Sequence, residues 1–403
     1  MPAATTVDLS LQGLINKDNN YILQQEGIYD LLKYSWTGVL LPVTEEQYQT
    51  RVQISSDVAD KYADQTKRLL KTYATAQNHC AEFKQNTYPS IVALASAVYD
   101  YAQNAGGDVQ DSYYANIVQS IDALSSTETS SGALEAINGL VDTQVQAINA
   151  IVGQAQSAIN ALVTFGVQMK NDHTDMKGPQ DALTGELSDT IEHFDDLQAQ
   201  LEKYRAGMKA DQKAYEHDKI VACTTLTYAW VPFFGMIAAS VVAGIYGRKA
   251  AAMADRIDAV NKLISSDESE INAGSPFRVG ATHIAAELMA VDTAINDLHS
   301  ACLPAIDAIK DMVKTLQSVA GALTTLKELA ASSPRAANQA IAGIDVTKLV
   351  AQWNALAAAA DKYRQAANIV EAPAAGGEQV TLESLSKQLH NQAKVTNQCV
   401  EEL

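Results

Sequence analysis

Residues 220–247 read IVACTTLTYAWVPFFGMIAASVVAGIYG, and the rest of the chain is interpreted around this stretch. It contains no Asp, Glu, Lys or Arg, although 19% of the residues in the whole chain are charged. About 20 apolar residues suffice to cross the hydrocarbon core of a bilayer, so the segment is long enough to span one. Pro232 divides the segment, which leaves two arrangements. It is either one kinked helix that spans the bilayer, or two short helices, neither of which is long enough to cross it alone.

The composition of the segment supports contact with a membrane. Small side chains recur at every fourth position after the proline, at Gly235, Ala239, Ala243 and Gly247, and such stripes let helices pack closely in lipid. Aromatic residues of the kind found at membrane interfaces accompany them. The residues predicted to insert are Ile220, Val221, Leu226, Tyr228, Trp230, Val231, Pro232, Phe233, Phe234, Gly235, Met236, Ile237, Ala239, Val241, Val242, Ala243, Gly244, Ile245, Tyr246 and Gly247. The alternative is a buried helix or hairpin in a soluble domain.

The overall charge limits the partners of the chain. A net charge of −18 argues against a nucleic-acid partner, which requires a basic face, and against general attraction to anionic lipid. The first residues, MPAATTVDLSLQG, lack the basic and apolar regions of a secretory signal peptide. We therefore expect a protein that stays in the cell or leaves it without a cleaved signal peptide.

The periodicity outside the segment predicts long helices. The clearest pattern is a heptad-like row of apolar residues with spacings of three and four: Leu134, Ile137, Val141, Val145, Ile148, Val152, Ala155, Ile159 and Leu162. Helical patterns also cover about 45–104, where Pro89 should kink or end a helix, and 277–331, 346–370 and 380–403. No segment shows the alternation of a strand. The fold class is therefore all-α, a bundle of long antiparallel helices with the apolar element at one end.

The residues that carry chemistry form no recognised motif. No zinc, phosphate-binding, hydrolase or calcium-binding pattern is present, so we expect no enzyme, no cofactor and no metal. His283 and Glu287 share a helix face, but a third metal ligand with matching spacing is missing. The cysteines are expected to be buried free thiols, and the alternative is a disulfide between distant helices. They are Cys80, Cys223, Cys302 and Cys399.

Several stretches resemble a known group of proteins. They are Asn78–Pro89 (NHCAEFKQNTYP), the row from Val141 to Met169 with Phe165 followed by KNDHTDM, the segment PFFGMIAASVVAGIYGRKA, and Val350–Leu356 (VAQWNAL). In their order and spacing they are similar to the α-helical pore-forming toxins, namely cytolysin A, the haemolysin BL and non-haemolytic enterotoxin components and the xenorhabdolysin-type cytotoxins. Leu40-Leu41-Pro42 with Glu45 and Glu46 is also similar to the opening of the xenorhabdolysin A-type subunits.

The resemblance implies an architecture and an activity. It implies an elongated five-helix tail formed by residues 1–205 and 276–403, and a small head formed by residues 206–275. It also implies a secreted monomer that inserts residues 220–247 into a target-cell membrane and oligomerises with itself, with one or two related subunits, or with both. The alternatives from other classes are a membrane-anchored coiled-coil scaffold and a soluble all-α protein whose apolar helix is core.

Overall fold

The computed structural model describes most of the chain up to residue 189 and the long stretch 276–366. The described residues are 7–11, 13–15, 21–24, 31, 35, 38–39, 41–52, 54–124, 130–189, 199, 203 and 276–366. The segment 220–247, the proposed head 206–275 and the expected helix 380–403 lie outside them. The proposed division into tail and head therefore stays a prediction.

Helices account for nearly all of the described part of the chain, which confirms the all-α prediction. Within it, pairing between strands is limited to one isolated antiparallel bridge between Ile15 and Tyr21. A short 3-10 turn covers Ile22–Gln24. The α-helices are α1 (Glu45–Val52), α2 (Ser56–Lys61), α3 (Ala63–Glu82), α4 (Tyr88–Ala105), α5 (Tyr113–Ala123), α6 (Ser130–Ser188), α7 (Pro276–Ser332), α8 (Pro334–Ile341) and α9 (Val346–Ala366).

Thr44 caps the start of helix α1. The Gln47 backbone N–H donates to Thr44 Oγ1 at 3.2 Å, and Gln47 Oε1 accepts from the Val43 and Thr44 N–H groups at 2.9 and 3.3 Å. This reciprocal arrangement is a capping box, which satisfies backbone donors that the helix itself leaves without partners.

The helical pattern expected over 45–104 is interrupted three times, and the shortest break is the single residue Tyr62 between α2 and α3. It first breaks before α2, where Ser55 adopts an extended conformation, since serine side chains favour helix starts over helix interiors. It changes again at Phe83–Thr87, which form a π-helical turn between α3 and α4. The turn directly precedes Tyr88 and Pro89. Because proline lacks an N–H group and its ring clashes with the carbonyl four residues earlier, the wider turn accommodates it while the chain stays helical.

Two long helices dominate the described part. The row predicted on α6 is buried at Ile137, Val141, Ile148, Ala155, Ile159 and Leu162 and half-buried at its other three positions. Helix α6 continues through Pro179, and α7 continues through Pro304. Pro304 lies inside the helical pattern predicted over 277–331.

The contacts divide the chain into two compact units. Unit 1 contains Met1–Tyr29, Gln85–Thr164 and Cys302–Ala367, and unit 2 contains Asp30–Lys84, Phe165–Ala301 and Asn368–Leu403. In unit 1 the fully buried Trp353 stacks on Tyr114 and meets Tyr101 edge-on, each with a centroid distance of 5.2 Å. Trp353, which belongs to the motif Val350–Leu356, is therefore a core residue of unit 1.

Candidate functional site: the unit that includes the apolar segment

The residues predicted to insert into a membrane lie, in sequence, between two described stretches of unit 2. Those residues, 220–247, lie outside the described part of the chain, so their predicted role is not tested by the geometry. The described helices of unit 2 flank them in sequence: α6 ends before the segment at Ser188, and α7 begins after it at Pro276. The site is therefore built from these helices and from α1 to α3.

Two of the motifs that carry the resemblance meet in unit 2. Phe83, from the motif 78–89, and Phe165, from the second motif, are both buried, and their rings stack at a centroid distance of 4.3 Å and an angle of 24°. One turn away, Cys80 Sγ lies 3.9 Å from Met169 Sδ. Cys80 is a buried thiol, as is Cys302 in unit 1, whereas Cys223 and Cys399 lie outside the described residues.

A histidine–aspartate pair continues this contact between α3 and α6. His79 Nδ1 and Asp172 Oδ2 lie 2.8 Å apart, and the Asp172 side chain is 2% exposed. Burial raises the pKa of the Asp172 carboxyl, and the hydrogen bond and charge of His79 oppose this only in part. Each of the two residues belongs to a motif that carries the resemblance, but their pairing across 93 positions was not predicted.

The next residue of α6 makes a second contact, this time with α7. His173 Nε2 lies 3.0 Å from Asp292 Oδ1 at the surface. Farther along α7, the Nδ1 of His299 donates to the Gly166 carbonyl oxygen at 3.1 Å. Adjacent residues of α6, Asp172 and His173, therefore bind two different helices.

His283 and Glu287, which share a helix face, both bind α1. Arg51 Nε donates to Glu287 Oε1 at 2.5 Å, and His283 Nδ1 donates to the Val52 carbonyl oxygen at 2.9 Å. Burial raises the pKa of the Glu287 carboxyl, although the charge and hydrogen bond of Arg51 lower it. Among the residues that the structure describes, no group of three or more His, Cys, Asp and Glu side chains could hold a metal ion.

One helix in the described part of the chain is long and apolar enough to cross a membrane. It is Gly132–Ser188, which makes up nearly all of α6. This rests on length and composition alone and is weak evidence, since the core helix of a soluble protein meets the same criteria. The described contacts hold the helices of unit 2 together through aromatic packing, buried hydrogen bonds and ion pairs.

Comparison with known proteins connects this arrangement to a family. Residues 46–211 match the Bacillus haemolytic enterotoxin (HBL) family, a range that includes both motifs that meet in unit 2. No curated protein matches the chain.

Solved structures of toxin components share the fold. The Bacillus cereus HblL1 toxin component is 16% identical, with 90% of this chain and 100% of that chain covered and a TM-score of 0.60. Soluble SmhA of the tripartite α-pore forming toxin Smh from Serratia marcescens is 17% identical, with coverage of 90% and 96% and a TM-score of 0.55. Soluble AhlB of the tripartite toxin AHL from Aeromonas hydrophila is 11% identical, with coverage of 92% and 98% and a TM-score of 0.51. The resemblance predicted from the sequence is thus confirmed: residues 46–211 match the haemolytic enterotoxin family, and the chain has the fold of α-pore-forming toxin components.

Proposed function

We propose that this protein is a subunit of an α-pore-forming toxin. The observation that carries the proposal is the match of residues 46–211 to the Bacillus haemolytic enterotoxin family. The shared fold is consistent with it, since the chain spans the full length of the HblL1 component. In this proposal the protein acts by insertion and assembly and not by catalysis.

The proposed inserting element is the segment 220–247. Its support comes from the sequence, because a charge-free run of this length occurs between two long helices of an acidic chain. Transfer of apolar surface from water to lipid is favourable by roughly 25 cal/mol per Å². If the protein covers residues 220–247 in water, their transfer into a bilayer can therefore drive a conformational change of the protein.

The partners follow from the same proposal. The protein acts outside the producing cell on a target-cell membrane, and it assembles with copies of itself, with one or two related subunits, or with both. SmhA and AhlB are each described as parts of tripartite toxins, which supports a search for partner subunits. The acidic net charge of −18 favours apolar insertion over electrostatic attraction as the driving force for binding.

A leakage assay tests the inserting segment. The purified protein, alone and mixed with candidate partner subunits, is added to liposomes that contain a self-quenched dye. We expect dye release from the wild type, and its loss when Ala239→Asp or Gly244→Asp places a charge in the segment, since a charge at the bilayer centre costs about 2.5–3.5 kcal/mol even on insertion scales.

Gly153→Asp is the matched control. Gly153 lies on the exposed side of α6, where an added Cβ atom would meet nothing within 4 Å. This variant should release dye like the wild type, and all three should keep the wild-type circular dichroism spectrum. Undiminished leakage by both segment variants would remove residues 220–247 from the mechanism. Absence of leakage by the wild type under every partner combination would overturn the proposal as a whole.

A further inference from the structure

An ion pair is completely enclosed in unit 2. Arg51 on α1 and Glu287 on α7 are joined at 2.5 Å, and their side chains are only 6% and 0% exposed. They lie 236 positions apart in sequence. A pair on the surface would be worth little and would be screened by salt, but one in the core carries a large desolvation cost.

Polar groups on the Glu287 side of the pair add to that cost. Tyr48 and Tyr73 lie close enough to Glu287 for its charge to raise the pKa of each hydroxyl, in addition to the larger effect of their own burial. Within the part of the chain that the structure describes, the Tyr48 hydroxyl and Glu287 Oε2 have no hydrogen-bond partner. A buried pair of this kind is weak evidence for stability, because apolar side chains of similar volume often serve as well or better.

Further contacts at the same place bring α7 and the end of α1 together. The Val52 carbonyl, at the last residue of α1, accepts the hydrogen bond from His283, one turn before Glu287. At Gly280, one turn earlier again, an added Cβ atom would lie 2.7 Å from Val58 Cγ1 and 3.2 Å from Ile54 Cγ2. One face of α7 therefore packs against residues 51–58. Glu287, His283 and Gly280 make the contacts.

We propose that the enclosed Arg51–Glu287 pair, together with the His283–Val52 hydrogen bond, is a latch that docks α1 on α7 and has to open before the protein engages a membrane. The second half of this statement rests on the proposed function. The first half concerns the protein in solution and is independent of it.

The contact can act as a latch because the closed and the fully open ion pair both have a low free energy, whereas a partly separated pair has a high one. When it is closed, the charges neutralise each other. When it is fully open, water solvates both. A partial separation leaves two charges in a medium of low dielectric constant without either benefit. Such a contact makes α1 either docked or released, whereas an apolar contact loosens gradually with the area that it exposes.

Three variants separate this role from simple packing. Arg51→Met keeps the unbranched stem of the side chain but removes the guanidinium group, so the Glu287 carboxylate stays buried without this partner. Arg51→Met/Glu287→Leu replaces the pair by apolar groups of similar size. Glu45→Gln is the control, because Glu45 lies on the same helix and pairs with Lys67 at 3.7 Å, but both side chains are about half exposed, at 48% and 60%.

Hydrogen exchange followed by mass spectrometry reads the docking of α1 directly. We expect exchange of peptides covering 45–52 to accelerate at least about 100-fold in Arg51→Met, to return to the wild-type rate or below it in the double variant, and to stay unchanged in Glu45→Gln. The double variant should also melt at or above the wild-type temperature. If Arg51→Met exchanged like Glu45→Gln, or if the double variant exchanged as fast as Arg51→Met, the pair would not be what docks α1.

The role of opening is read on liposomes. In the double variant no charges become solvated when α1 is released, so the closed state is favoured, and this variant should release dye about tenfold more slowly than the wild type. Glu45→Gln should match the wild type. Wild-type leakage by a double variant with slow exchange at 45–52 would overturn the requirement for opening. A wild type that released no dye would overturn the proposed function, whereas the exchange rates would still decide whether the pair docks α1.

Discussion

The Phe83–Phe165 stack gives the most direct test of how unit 2 is held together. Phe83 and Phe165 are 1% and 2% exposed, and a buried aromatic side chain removes about 150–250 Å² from water. At roughly 25 cal/mol per Å² this corresponds to about 4–6 kcal/mol, close to the 3–5 kcal/mol that truncation of a core phenylalanine to alanine typically costs. We therefore expect Phe165→Ala and Phe83→Ala each to lower the free energy of unfolding by about 3–5 kcal/mol.

The stacking itself contributes a smaller term that a double-mutant cycle isolates. Rings at 4.3 Å and 24° are expected to couple by about 0.5–1.5 kcal/mol beyond the buried area. The double variant should thus lose less stability than the sum of the single variants by that amount. The assay is urea denaturation followed by far-ultraviolet circular dichroism, with Val163→Ala as control because Val163 is 47% exposed and should change stability by less than about 0.5 kcal/mol. A loss below about 1 kcal/mol for Phe165→Ala would contradict the deduction that this contact is core, since such losses are typical of surface sites.

Two further predictions concern charge and backbone. Because burial raises the pKa of Asp172, the folded state binds this proton more tightly than the unfolded state. The contribution of Asp172 to stability should therefore fall as the pH rises from its ordinary pKa near 4 through the raised value. Thermal melts between pH 3.5 and 6.5 should show this decline for the wild type and a weaker one for Asp172→Asn, and parallel curves would contradict it. Gly153→Ala should stabilise the protein by about 0.5–1 kcal/mol, because Gly153 is exposed inside α6 with no neighbour for an added methyl group. Gly280→Ala should destabilise it, because the new Cβ atom would lie 2.7 Å from Val58. Equal signs for the two glycine variants in denaturation would refute the packing that the structure assigns to them.

The long helices could be predicted from the sequence because the spacing of apolar residues within each segment indicates a helix without reference to the rest of the chain. The spacing of apolar residues from Leu134 to Leu162 decides which face of α6 is buried, and the two internal prolines did not interrupt the pattern. Two short helices were not predicted. Helix α5 has only 11 residues, which is too short for a clear repeat of apolar positions. Its cap was the available signal, because the Ser112 side chain accepts a hydrogen bond from the Ala115 N–H. Helix α8 begins at Ser333-Pro334, where a serine cap followed by proline marks a helix start that the pattern of apolar residues does not reveal.

The contacts of the candidate site could be predicted only in part. His283 and Glu287 were identified as neighbours on one helix face because their spacing is local. Their partners on α1 lie more than 230 positions earlier, and no local pattern specifies such a pairing. A glutamate in the otherwise apolar run AAELMAV was the available signal, because a charge on a buried face requires a partner. The predicted inserting residues stay a prediction that the liposome variants test.

The π-helical turn at Phe83–Thr87 has a consequence for comparing this chain with its relatives. Buried residues before it follow intervals of three and four, but the interval from Phe83 to the next buried position, Tyr88, is five. Each residue turns an α-helix by about 100°, so an interval of five in a regular α-helix would place Tyr88 about 140° away from the face of Phe83. The wider π turn takes up the extra residue, and both positions are buried. An alignment of a relative that lacks this turn has to open a one-residue gap between 83 and 88, or it will equate core positions of one protein with surface positions of the other.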